Sequence, residues 1–268
     1  MTWPFVISLP HASGRVPESL RPALALSDAE IMDAIDTGTE EIFGALPARY
    51  VIRAEWSRVV ADLNRGPDER GRNGVIPSVD YSGRPVYGDA SPIDGARFQE
   101  RLRDYYWPYH HRLQKMVNEH EIIGLFDCQS LNAVAPAEAP DAGQRRRDIV
   151  LGNNGDPYGE DVPGLGKTTC PADVLKTMKE IFMAAGFSVG INFPYAGGFI
   201  ARHYGTTLIQ QGKFVIQIEI NQALFMDEEK MEMLPERLEW VRRKMTQCLE
   251  AIVRTRFFAS PSRHFLIS

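Results

Sequence analysis

Cysteine is scarce in this chain. Three residues in 268, Cys128, Cys170 and Cys248, are odd in number and far apart. That excludes a disulfide-built scaffold and thiolate zinc spacing, and it fits a reducing cytoplasm. Long apolar runs are missing too, so no segment has the length of a bilayer span. The first apolar run is short, contains Pro4 and has no basic residues before it, which does not read as a secretory leader. Excess positive charge is absent: 30 Lys and Arg stand against 35 Asp and Glu, a net charge of -5. That argues against nucleic acid or an anionic membrane as the main partner. No internal repeat and no interdomain linker is visible.

What is present is ordinary globular material. With 44% hydrophobic and 24% charged residues, the chain can bury a sizeable core, and one domain over residues 1–268 is expected. Short β-rich runs occur at Phe5–Leu9, Tyr50–Ala54, Val59–Leu63, Ile122–Phe126, Asp148–Leu151, Ser188–Asn192 and Phe214–Ile220. Several are apolar throughout, as in central strands covered on both faces. Helical stretches lie between them. Ser27 and Glu30 form a capping box before a helix starting at Asp28. A second helix is predicted from about Gly95 to His120, with Phe98, Leu102, Tyr105, Tyr109, Leu113 and Met116 on one stripe. A third follows Pro171, and a fourth runs from about Glu228 to Phe257. Strands alternating with helices indicate an α/β fold of three layers around a mostly parallel or mixed sheet. Gly66–Gly95, Asn132–Arg147 and Asn153–Thr169 read as loops, long enough to serve as lids or substrate walls.

Chemistry-bearing residues cluster at the ends of the β-rich runs. His11 follows Phe5–Leu9 in Pro10-His11-Ala12-Ser13-Gly14, where α/β sheets place their sites; a surface turn histidine is the plainer alternative. Arg58 and Arg65 flank a short apolar run; taken alone the arginines read first as surface ion pairs, and Asn64 beside Arg65 shifts the reading towards a carboxylate clamp. Asp127-Cys128-Gln129-Ser130 ends another run. Gly197-Gly198 permits close approach of a ligand, with Arg202 and His203 shortly after. In Phe214–Ile220, Gln217, Glu219 and Asn221 share one face by the two-residue period, which either meets solvent or lines a site. A carboxylate buried there is costly without a partner.

Taken in order, several strings resemble the N-formylglutamate amidohydrolase family. They are Pro10–Gly14, Asp36-Thr37-Gly38-Thr39, Ser57–Arg65, Trp107-Pro108-Tyr109-His110, Asp148–Gly152, Gly197–Gly205, Gln217–Asn221 and Met226-Asp227-Glu228. They span nearly the whole chain, and their ordered combination is specific. The resemblance, which extends to zinc carboxypeptidases and aspartoacylase-type deacylases, implies a zinc-exopeptidase-like αβα sandwich. It implies one divalent metal, expected to be zinc, and a water nucleophile. By position, His11 matches the first metal ligand, and Asp36 the acidic one, with Asp33 as the alternative. Arg58 resembles the oxyanion-stabilising arginine, Asn64 and Arg65 the pair that holds a substrate carboxylate, and Glu219 the general base. Arg202 offers a second carboxylate contact. The implied substrate is a small acidic N-acyl amino acid, and the implied location is the cytoplasm.

Gln129 departs from the pattern, because the family motif Asp-x-His-Ser supplies a histidine ligand there. Three readings stay open. Gln129 binds through its side-chain oxygen, or His203 or Asp127 takes the position, or the metal is lost. The last would leave a non-catalytic protein that binds an acidic amino acid or peptide terminus.

Overall fold

In a computed structural model, residues 2–88, 93 and 95–259 are described. Residues 89–92 and 94 of the predicted Gly66–Gly95 loop lie outside them. The frame is a six-stranded sheet of β1 (Trp3–Leu9), β2 (Ala48–Arg53), β3 (Gly124–Leu131), β4 (Ile149–Gly152), β5 (Val189–Ile191) and β6 (Phe214–Asn221). Its order is β2-β1-β3-β6-β4-β5, and every neighbouring pair is parallel except β4 with β6. The sheet is therefore mixed and mostly parallel, as expected. β3, β4 and β6 are buried along their whole length, although β3 and β6 carry Asp127, Gln129, Gln217 and Glu219 among their apolar residues.

Helices cover both faces. α1 (Asp28–Asp33) carries the predicted capping box: Ser27 Oγ accepts from Glu30 N and the Glu30 carboxylate accepts from Ser27 N. α2 (Thr39–Phe43) packs on one face of the sheet with two later helices, α5 (Ala172–Ala184) and α7 (Pro235–Val253). The other face is covered by a continuous helix, α3 (Gly95–Arg101) running through a π-helical turn (Leu102–Tyr106) into α4 (Trp107–Val117), and by α6 (Phe199–Leu208). The fourth predicted helix starts at Pro235 rather than near Glu228 and ends at Val253, with a separate short helix, Arg256–Ala259, after it. A two-strand hairpin, Met226–Asp227 with Glu232–Met233, occupies the stretch before Pro235. No helix among the described residues is long and apolar enough to cross a membrane.

Two local differences matter for the site. Val59–Leu63 is not a strand but a chain of turns. Its apolar residues go to different cores, Val59 to one and Ala61 and Leu63 to another, so no single sheet face claims the segment. The long helix also departs from its expected stripe, since Tyr106 and His110 are buried where Tyr105 and Met116 are only partly so. Pro108 lacks the N–H that would bond to the Asp104 carbonyl one turn earlier, and the π turn takes up the misfit.

Candidate active site

The polar faces of β3 and β6 meet at the carboxyl ends of the parallel strands, beside the turn that follows β1. A cavity of about 660 Å³ opens there. His11, Asp36, Arg58, Asn64, Arg65, Arg202, Gln129 and Glu219 all line it. The sequence-derived residues thus converge on one cleft, although they come from six separate segments. Asp33 does not line it. Its carboxylate accepts from Arg84 and its carbonyl from Tyr81, so Asp36 is the acid that faces His11. His203 stacks on Phe199, with ring centroids 4.8 Å apart, and is also absent from the lining.

On the β1 side the groups are charged. Asp62, given no role from sequence, is the hub. Its Oδ1 accepts from His11 Nε2 at 2.7 Å and from Asn64 N at 2.9 Å, while Oδ2 accepts from Arg58 Nη2 at 2.7 Å. Arg58 Nη1 also lies 3.9 Å from Asp36. Burial would push the Asp62 carboxyl up, but Arg58 and His11 hold it well below the ordinary range. Burial and Arg58 oppose protonation of His11, yet Asp62 and Asp36 raise it to about 9. Asp62 could have been found from its place two residues before Asn64, where an Asp closes a local turn on the backbone.

On the β3–β6 side the partners are amides. Gln129 Nε2 donates to Asp127 Oδ2 at 2.7 Å, and Gln217 Nε2 donates to Glu219 Oε1 at 2.7 Å. The two strands pair Asp127 with Gln217 and Gln129 with Glu219. Asp127 lies below the cavity wall and also accepts from Ser8 Oγ at 2.8 Å, with Tyr109 hydroxyl 2.9 Å further along. Burial is the main cause that lifts Asp127 to about 7 and Glu219 to about 8, and for Glu219 the nearby Asp36 and Asp127 add to it. Glu219 is therefore a buried acid within reach of losing and regaining a proton near neutrality.

The clamp residues sit at one end. Asn64 Oδ1 accepts from Ile200 N at 2.9 Å and so caps α6, while its side chain still lines the cavity. Any Cβ at Gly198 would collide with the Asn64 side chain, which gives the Gly197-Gly198 pair its reason. Arg65 Nε donates to Asn73 O at 2.9 Å. Arg202 Nη1 donates to Gly197 O at 3.1 Å, with Glu69 3.7 Å from Nη2. Two further lining residues escaped sequence reasoning, Arg146 and Tyr195. Arg146 is bidentate to Asp141, at 2.8 and 2.9 Å, and donates to Tyr195 hydroxyl at 3.1 Å. The run Arg145-Arg146-Arg147 at the end of the loop was the only signal, and it did not say which one turned inward.

The donor set can be tested against a divalent metal. His11 Nδ1 is the one buried side-chain nitrogen or oxygen without a hydrogen-bond partner among the described residues. Its 3.5 Å approach to Asp36 Oδ2 is electrostatic rather than a hydrogen bond. Nε2 is meanwhile committed to a carboxylate, the arrangement that orients metal-ligating imidazoles. His11 and Asp36 therefore fit a cation, which would take the place of the proton on His11 Nδ1. Gln129 turns its amide nitrogen to Asp127, so that only its neutral oxygen is left for another partner. Among the described residues, no three His, Cys, Asp or Glu side chains gather as a metal cluster.

The sequence model of the N-formylglutamate amidohydrolase family matches residues 3–226. The chain belongs to this family. It is a hydrolase acting on a carbon–nitrogen bond. The chain is 26% identical to N-formylglutamate deformylase of Pseudomonas aeruginosa, over 84% of this chain and 83% of that protein. It is likewise 26% identical to the Pseudomonas putida deformylase, over 84% and 82%. In fold it is similar to the crystal structure of N-formylglutamate amidohydrolase from Ralstonia eutropha, with a TM-score of 0.74 and 21% identity, covering 94% of this chain and 93% of that one.

Proposed function

We propose that the protein hydrolyses the amide bond of an N-acyl amino acid, N-formyl by family, with an acidic amino acid such as glutamate as the leaving group. The observation that carries this reading is that Glu219, a buried carboxyl held by Gln217, lines one cavity together with Arg58, Asn64 and Arg65. Glu219 Oε1 is held by Gln217, and its second oxygen is the one available to a water molecule. Glu219 takes the proton of that water as its oxygen bonds to the formyl carbon. Arg58 faces the oxyanion that develops. The carbon–nitrogen bond then breaks, Glu219 returns the proton to the departing nitrogen, and formate and glutamate leave. Arg65 and Asn64 hold one carboxylate of the substrate, and Arg202 meets the other at the rim. A divalent metal would be held by His11 and Asp36, and when bound it supplies polarisation of the carbonyl and acidification of water.

Gln129 favours a second reading, a binder of acidic amino acids that has weakened the metal and with it the chemistry. Glu219→Gln separates the two. The shapes are nearly equal, but an amide cannot accept the proton. The enzyme reading expects N-formylglutamate hydrolysis by the parent protein and a loss of about 10²–10⁴-fold in rate in the variant, at unchanged metal content and fold. Equal rates in both forms would remove Glu219 from the mechanism. No hydrolysis by parent protein loaded with zinc, together with retained glutamate binding, would make the binder the better account.

A further inference from the structure

The clamp stands on a segment without secondary structure of its own, and the partners of its backbone carbonyls are specific. Between Val59 and Arg65, the carbonyl of Asp62 accepts from Arg65 N and that of Asn64 from Phe199 N. Three others are taken by side chains of the single helix that runs from Gly95 to Val117. Arg101 Nη1 donates to Val60 O at 3.3 Å, His110 Nε2 donates to Leu63 O at 3.0 Å, and Tyr106 hydroxyl donates to Arg65 O at 2.8 Å. In a regular helix Arg101 and His110, nine residues apart, would stand about two and a half turns apart and so on opposite faces. The π turn at Leu102–Tyr106 delays the phase and brings Arg101, Tyr106 and His110 to one side.

The groups are also built to stay in place. Tyr106 is fully buried, its ring 4.2 Å from His110 and 5.0 Å from Trp107 between centroids. His110 is buried with its second nitrogen 3.0 Å from Tyr204 hydroxyl. A buried carbonyl that loses its donor costs free energy, so the chain around it moves to find another partner. At Arg65 and Leu63 that movement would carry the guanidinium and the Asn64 amide away from where they face the cavity.

We infer that Tyr106 and His110 are positioning residues for the carboxylate clamp, acting through the Arg65 and Leu63 carbonyls and never touching substrate. This deepens the reading of Asn64 and Arg65 as the substrate-carboxylate site and rests on it. The helix that carries them therefore sets affinity for the acidic substrate while leaving the chemistry at Glu219 alone.

The test is a double-mutant cycle on N-formylglutamate hydrolysis by the full chain. Tyr106→Phe keeps the packed ring and removes only the donor. It should raise KM about threefold to tenfold with kcat within twofold, the range expected for one lost hydrogen bond. In an Arg65→Ala background the same change should leave KM where Arg65→Ala alone put it. His110→Phe should raise KM in the same way, and His110→Gln, which keeps an N–H donor, should restore most of it. An unchanged KM in Tyr106→Phe, or the same fold increase with and without Arg65, would overturn the inference while leaving the clamp in place. No effect of Arg65→Ala on KM would remove the clamp itself, and the inference with it.

Discussion

On one side of the cavity, Asp36 and Asp62 face two cations, His11 and Arg58. On the other, Asp127 and Glu219 are met by two amides, Gln129 and Gln217. All four acids are buried. Burial alone drives a carboxyl towards its neutral form, and a cation within about 4–6 Å reverses that, whereas an amide does so only weakly. The side with cations keeps Asp62 ionised, and the side with amides lifts Asp127 and Glu219 towards neutrality. A proton carrier and a fixed positive field are thus built from similar side chains by a choice of partner. The same rule splits two buried histidines. His11, between carboxylates, is raised to about 9, and His110, among aromatic rings, is lowered to about 3 mainly by burial.

The largest expected effect breaks the charged side. Asp62→Ala removes the acceptor shared by Arg58, His11 and the Asn64 amide and leaves Arg58 with Asp36 alone, which should cost about 3–5 kcal/mol of stability, as removal of one partner from a buried ion pair does. Asp127→Asn on the amide side should cost about 1 kcal/mol, because Ser8 can reorient its hydroxyl towards Tyr109. Denaturant titration of both variants checks the contrast, and equal losses would erase it.

The rim comes next. Arg65→Ala should raise KM for an acyl-glutamate about tenfold to a hundredfold, from a charge-assisted hydrogen bond worth roughly 1.5–3 kcal/mol. An uncharged acyl-amide should be affected far less. Steady-state kinetics on the two substrates decides, and equal loss on both would indicate a structural arginine.

Gln129→His adds an imidazole to the amide side. If position 129 faces the same cation as His11 and Asp36, zinc should bind about tenfold tighter or more, about 1.4 kcal/mol, since imidazole is a better zinc ligand than a carboxamide. Competition against a chelator of known affinity measures it. Unchanged affinity in a folded variant would put Gln129 away from the metal.

The last test concerns His110 and is seen only as a pH dependence. Its folded-state pKa lies below the unfolded value, so the unfolded chain binds more protons between about pH 3 and 6.5. Its contribution is fully present above pH 6.5 and is lost as pH falls towards 3. His110→Gln should flatten that part of the stability-against-pH curve. Parallel acid slopes for variant and parent would show that His110 does not titrate on unfolding.

Much of the fold was legible because its signals are local. The apolar runs of β1, β4, β5 and β6 lie close to their observed positions, and the capping box before Asp28 forms as read. Glu219 on β6 and His11 just past β1 follow from the same patterns, since a strand's period fixes which side chains share a face. The false strand at Val59–Leu63 shows the limit. An apolar run says that residues are buried but not that one sheet face buries them all, and here two cores divide it. The shifted stripe of the long helix has a similar cause, since a proline's effect on phase depends on whether the turn before it widens.

By itself the sequence determined the α/β class, the order of the main elements and several side chains that line the cavity, among them His11 and Glu219, because hydrophobic period and end-of-strand placement are short-range properties. It left open Asp36 against Asp33, and Asp62 had no role at all. Their placement depends on tertiary structure: Asp62 meets His11 across 51 positions of chain, and Asp33 is drawn off by Arg84 across 51 others, which leaves Asp36 facing the cavity. The ionisation of each acid was decided there too. Charge depends on burial and on the nearest partner in space, and neither is written into the neighbours along the chain.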